Sequence, residues 1–151
     1  MDFKGSETIK APRSLVWKCL NDPEVLKNCV PGCQSFIAAG EDEFLATVIV
    51  AVGPVKANFK GNLKLSERVE PEGYRIVGQG EGGIAGFGKM NAEVALTEAG
   101  DETVLSYVAY AEVGGKLAQI GTRLVASVAN KLAAAFFQRF NDNVSALATH
   151  Q

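Results

Sequence analysis

One glycine-rich stretch spells two patterns associated with phosphate chemistry. Gly83-x-x-x-x-Gly88-Lys89 resembles a phosphate-binding loop, but Met90 stands where a Ser or Thr hydroxyl would hold magnesium. After Lys89, Met90, Ala92, Val94 and Leu96 alternate with polar residues, so a strand follows and no helix N-terminus meets a phosphate. Gly78-x-Gly80-x-x-Gly83 fits a dinucleotide pattern, yet it lies inside and after a strand with no helix behind it. Glycines here are better read as allowing a bend or bulge in a curling sheet, and as leaving empty volume beside it.

Other reactive side chains are sparse. The single histidine, His150, stands next to the end, where fraying is expected. No Ser-His-Asp set or Cys-His pair with a credible base can be composed. Cys19, Cys29 and Cys33 have no metal-ligand spacing and no histidine nearby, so they read as buried, inert thiols. Asn143-Val144-Ser145 matches the glycosylation sequon but falls within a helical pattern, and is set aside. Trp17 reads as packing a short helix onto the sheet, with a place at a pocket mouth as the alternative. Tyr107 is the most useful polar candidate, because a buried phenol seeks a partner and can orient a ligand in an apolar site.

The remaining candidates form an apolar lining. From the strands come Val48, Val50, Ala57, Phe59, Leu63, Ile76, Met90, Val94, Tyr107 and Ala109. From the C-terminal helix come Leu117, Gly121, Leu124, Val128 and Leu132, with Phe136 on the same face. Small residues are frequent among the inward positions, and small residues on a concave sheet leave room that one helix does not fill. A closed dry core is the alternative.

The elements that must position this lining follow from periodicity. From Gly114 to about Leu147 there is no proline, and apolar residues recur at three- and four-residue steps, predicting one long amphipathic helix. At 1.5 Å per residue it would reach about 50 Å. Residues 2–10 read as a strand. Pro12 opens a short helix carrying Leu15, Val16, Cys19 and Leu20, and Asp22-Pro23-Glu24 starts a second over 23–29, with Asp as N-cap and Pro at the first helical position. Strands follow at 34–39, 43–52, 55–66, 74–80, 89–97 and 103–113. In the third of these, Val55, Ala57, Phe59, Gly61, Leu63 and Leu65 alternate strictly with polar residues, which predicts one buried face and one wet face. Gly100-Asp101 reads as a hairpin turn. The expectation is a single α+β domain over 1–151: seven antiparallel strands curved around a terminal helix.

Bulk properties exclude several classes. A chain of 151 residues buries about two-thirds of its unfolded surface, so it needs no metal or disulfide to fold. A net charge of −2 argues against general nucleic-acid binding. The charge is uneven: beyond Gly114 four cations (Lys116, Arg123, Lys131, Arg139) face Asp142 alone, a surplus of three, which leaves −5 elsewhere. That surplus is either a solvated helix face or a preference for an acidic partner or anionic membrane. No apolar run is long enough to span a bilayer, and the opening residues lack the core of a secretion signal. The expected location is cytoplasmic, or peripheral at the inner face of the cell membrane.

Four segments in register resemble the carbon monoxide dehydrogenase G-subunit family. They are Asn21-Asp22-Pro23-Glu24-Val25-Leu26-Lys27 with Val30-Pro31-Gly32-Cys33; Val52-Gly53-Pro54-Val55-Lys56-Ala57-x-Phe59-Lys60-Gly61; the glycine stretch Gly80 to Lys89; and Val113-Gly114-Gly115-Lys116-Leu117-Ala118-Gln119-Ile120-Gly121-x-Arg123-Leu124. The similarity spans roughly 1–147. It implies a START/Bet v 1-like helix-grip fold whose cavity holds a lipid, isoprenoid quinone or other apolar molecule. It further implies an accessory role, without a catalytic group or cofactor of its own, beside a carbon monoxide dehydrogenase-type molybdenum hydroxylase at the membrane, with menaquinone as the associated acceptor. Some members carry a membrane-engaging tail after the domain; the sequence ends at Gln151 without one, so the expectation rests on the cavity. Two rival readings remain: a docking protein with a filled core, using Lys56, Lys60 and Lys64 or the basic helix face, and, less favoured, an enzyme on the same scaffold.

Overall fold

Alternating hydrophobicity builds most of the molecule. The computed structural model describes residues 1–149, so the fraying expected at His150 lies outside the described residues. Strand β1 (Asp2–Ile9) is followed by helices α1 (Arg13–Leu20) and α2 (Pro23–Cys29). Then come β2 (Cys33–Gly40), β3 (Glu43–Val52), β4 (Val55–Val69), β5 (Gly73–Glu81), β6 (Phe87–Ala99) and β7 (Glu102–Gly114). A 3-10 turn at Gly83–Ala85 links β5 to β6, and helices α3 (Lys116–Ile120) and α4 (Thr122–Thr149) close the chain. The seven strands form one antiparallel sheet in the order β1-β7-β6-β5-β4-β3-β2. The curved sheet lies against the C-terminal helix, with the two short helices at one end, as the strand order predicts.

Local signals act as their chemistry requires. Asp22 accepts a hydrogen bond from the Glu24 amide at 3.0 Å and Pro23 opens α2. β4 alternates between half-buried and exposed side chains along Val55–Gly61, as its sequence demands. The expected uninterrupted helix from Gly114 is corrected in one place. Gly121 has φ +107, outside any helical conformation, so a single turn of α3 is separated from the 28-residue α4. At 1.5 Å per residue α4 runs about 42 Å.

Helix α4 meets the rest of the fold at both ends. Near its start Val125 joins Val52 and Leu117 in a small cluster, with Val50, Phe59 and Val128 packed against it. Near its far end Phe140 and Val144 are fully buried in the main core with Trp17, Cys29 and Leu105. There Asn141 clasps β1, its Oδ1 accepting from the Lys10 amide (3.0 Å) and its Nδ2 donating to the Thr8 carbonyl (3.2 Å). Trp17 packs α1 onto the sheet, edge-on to Tyr74 with ring centroids 5.5 Å apart.

The glycine stretch is structural. Gly86 has φ +115, and a side chain there would strike the Gly114 carbonyl. Gly86→Ala therefore combines a disfavoured backbone with a steric collision. We expect it to destabilise the fold by about 1–3 kcal/mol, the range for a strained backbone conformation, measured by urea unfolding. Gly83→Ala, with φ +62 but open space around it, should cost less.

Candidate functional site

Between the two ends of α4 the helix and the sheet enclose a cavity of about 460 Å³. The sheet wall is built in rows set by strand register. Leu65, Ile76, Ala92, Ala109 and Phe3 lie side by side across five strands. Leu63 and Met90 flank Gly78 in the next row, and a Cβ on Gly78 would collide with both. Ala46, Gly61, Gly80 and Gly88 then cross four strands with nothing larger than a methyl group, outside the lining of the cavity. The opposite wall is α4, through Ala129, Leu132, Ala133, Phe136 and Phe137. Leu20, Leu26, Val30 and Pro31 close the side beneath the short helices.

Polar groups in the lining are few: the phenols of Tyr74 and Tyr107 and the amide of Asn130. Tyr107 stacks on Phe137 with centroids 5.5 Å apart and planes inclined by 17°. Its ring lies over Gly5, its cross-strand partner, and a Cβ on Gly5 would press into that ring at 2.7–2.8 Å. Burial drives the Tyr74 phenol well above its ordinary pKa, so it stays neutral and can donate a hydrogen bond. Among the described residues no carboxylate, imidazole or amine lines the chamber. Among them, too, no group of three or more His, Cys, Asp or Glu side chains is placed to hold a metal.

Nine of the residues expected from the sequence line this chamber: Val48, Leu63, Ile76, Met90, Val94, Tyr107, Ala109, Leu132 and Phe136. Seven are placed elsewhere. Val50, Phe59, Leu117 and Val128 pack in the small cluster at the start of α4. Ala57 pairs with Val50 beside that cluster, and Gly121 is the break between helices. Leu124 rests against Gly53 and remains 39% exposed. Sequence reasoning missed Tyr74, Ala92, Phe137 and the wall under α1 and α2. Tyr74 shares the strand parity of Ile76, a signal that was available.

The thiols lie apart from this chemistry. Cys19 and Cys29 are buried, and burial pushes the Cys29 thiol from 9.0 up to about 11. Cys19 and Cys33 are raised by the same cause. Folding thus favours the neutral Cys29 thiol, while the unfolded chain ionises near its ordinary value. Stability carried by this group is intact below about pH 9 and is lost as pH climbs toward about 11. At pH 8 Cys19 and Cys29 should resist a thiol reagent in the native protein and react on unfolding, a comparison read by mass spectrometry after labelling.

A curved antiparallel sheet gripping a terminal helix over an apolar chamber defines the START/Bet v 1-like, helix-grip class. A START superfamily protein from Mycobacterium smegmatis shares it at a TM-score of 0.75 and 13% identity, over 97% of this chain and 98% of that one. So does Zhui aromatase/cyclase from Streptomyces sp. R1128, at 0.66 and 13%, over 95% and 93%. At such identities the likeness is one of fold. Within that class, the chain belongs to the carbon monoxide dehydrogenase G-subunit (CoxG) family, whose model matches residues 5–145. A conserved protein from Geobacillus kaustophilus is 32% identical, with a TM-score of 0.89 over 96% of this chain and 95% of that one. A search of curated proteins found no match. No described helix is long and apolar enough to cross a membrane.

Proposed function

We propose that this protein is a non-enzymatic accessory protein that carries an isoprenoid quinone or lipid in its chamber. In this reading it serves a carbon monoxide dehydrogenase-type molybdenum hydroxylase, and the residues lining the chamber are the ligand site. The observation that carries the reading is a 460 Å³ space walled by apolar side chains with three polar groups. A filled core would leave no such space.

The energetics suit such a guest. Burying on the order of 300 Å² of prenyl surface supplies about 7–8 kcal/mol before the cost of lost ligand freedom, which makes apolar burial the main source of affinity in such a chamber. Tyr74, kept neutral by burial, supplies a hydrogen-bond donor for a quinone carbonyl, the Tyr107 hydroxyl offers a second, and the aromatic faces of Phe136 and Phe137 suit a flat ring. The lining offers no acid-base pair for catalysis, which favours carriage over conversion. Purified protein extracted with organic solvent should release an apolar molecule, and titration with short-chain menaquinone analogues should saturate. Neither release nor saturable binding would end the proposal.

A further inference from the structure

The two edges of the sheet are guarded differently. β1 carries Asp2, Lys4 and Glu7, and Asn141 of α4 clasps its end. β2 is the other edge, and from Asn28 to Gly40 no side chain is charged. β2 also contains no proline, and Ile37, Ala38 and Ala39 on it are exposed. Charge and proline are the usual guards of an open edge, and a strand without them is a template for another strand.

The backbone groups it offers follow from the hydrogen bonds around β3. The Ile49 amide donates to the Gly32 carbonyl, and the Leu65 amide donates to the Asp42 carbonyl. Along residues 42–52, odd-numbered residues therefore turn their backbone groups toward β2 and even-numbered ones toward β4. Leu45 lies opposite Ile37. Ile37 accordingly directs its amide and carbonyl to β3, while Phe36 and Ala38 present theirs to the open edge. Bulges after Cys33 and Ala38 confine the regular stretch to Ser35–Ala38. On its solvent face Ile37 is 56% exposed, with Leu45 half-exposed beside it.

We propose that β2 pairs with β2 of a second copy of this chain, antiparallel about a two-fold axis at Ile37. Phe36 of each copy then exchanges both hydrogen bonds with Ala38 of the other, and the paired Ile37 side chains meet at a non-hydrogen-bonded position. Leu45, Ile37 and their symmetry mates form one apolar row across the solvent face. The ends of β2 select this direction. Lys27, in the last turn of α2, stands near enough to Cys33 for its charge to reach the thiol. Glu41 and Asp42 follow β2, and Asp42 is held by Arg68 at 3.3 Å, leaving Glu41. Antiparallel pairing about Ile37 brings Cys33 of one copy level with Glu41 of the other, so Lys27 meets Glu41 at both ends. Parallel pairing would set like charges together. This complementarity of the edge to itself marks a second copy as its occupant. The pairing does not depend on the carrier reading.

Sedimentation velocity on the whole chain tests it. The protein should sediment as a dimer at high micromolar concentration. Ile37→Lys, which sets like charges across the axis and removes the apolar contact, should weaken dimerisation about a hundredfold with circular dichroism unchanged. Ile37→Cys should cross-link copies on mild oxidation, since Cα atoms at a non-hydrogen-bonded antiparallel position stand about 4.5 Å apart, within disulfide reach. Ile84→Cys, 85% exposed on the turn between β5 and β6, should not. Lys27→Glu should weaken dimerisation about three- to tenfold, and adding Glu41→Lys should restore it. A monomer under these conditions, a dimer indifferent to Ile37→Lys, an Ile37→Cys chain that does not cross-link, or a charge reversal that restores nothing would each overturn the proposal.

Discussion

Ala133→Trp is expected to weaken uptake of an apolar ligand about a hundredfold while the protein stays folded. Ala133 projects from the middle of α4 into the chamber, facing a wall that includes Ala92 and Ala109. An indole there brings roughly 150–250 Å² of surface into the chamber, so it takes the place of a guest instead of straining a packed core. Ala92→Phe should act from the opposite wall. Binding should weaken about a hundredfold for either, which corresponds to roughly 2.7 kcal/mol, as read by calorimetric titration with a menaquinone analogue. Circular dichroism should be unchanged. Undiminished binding by both folded variants would show that the chamber is not where the ligand sits.

Phe140→Ala should be the most destabilising single truncation on α4. Phe140 is fully buried and stacks on Phe136 with centroids 5.7 Å apart. It helps bind α4 to the short helices and the sheet. Removing a buried phenyl ring costs about 3–5 kcal/mol, because the surrounding groups collapse only in part. For a chain of this size each kcal/mol lowers the melting temperature by about 2–4 °C, so a drop of at least about 6 °C is expected. Leu147→Ala, at a position 45% exposed, should stay within about 0.5 kcal/mol of the parent. Similar losses for the two would mean that this end of the helix is not anchored as described.

The sheet is readable in the sequence because its period is two. Along β4 each apolar residue from Val55 to Leu65 can be assigned a face from its neighbours alone, and the observed burial follows. The caps of α2 are equally plain in Asp22 and Pro23. The helical wall of the chamber is harder to read, for a physical reason. The stripe of largest residues, Leu124, Val128 and Leu132, reads as facing the space. Leu132 and Phe136 do line it, with Phe137, but Leu124 rests against Gly53, and Val128 packs with Val125 in one cluster as Phe140 and Val144 do in the other. Ala129 and Ala133 line it as well, each one residue beyond a member of the expected stripe and so rotated by about 100°. Gly121 is ambiguous between a small packing residue and a helix break, since a lone glycine in an apolar stripe fits both. Only its backbone angle separates them.

The seat of Tyr107 has a wider consequence. The phenol rests where Gly5 lacks a side chain, so a side chain at Gly5 must lever the ring away from its place against Phe137. If the chamber carries a guest as proposed, the girth it admits would be adjustable from Gly5, which lies outside the lining. On that reading, a substitution at this one residue would change the width of guest accepted while keeping an identical wall.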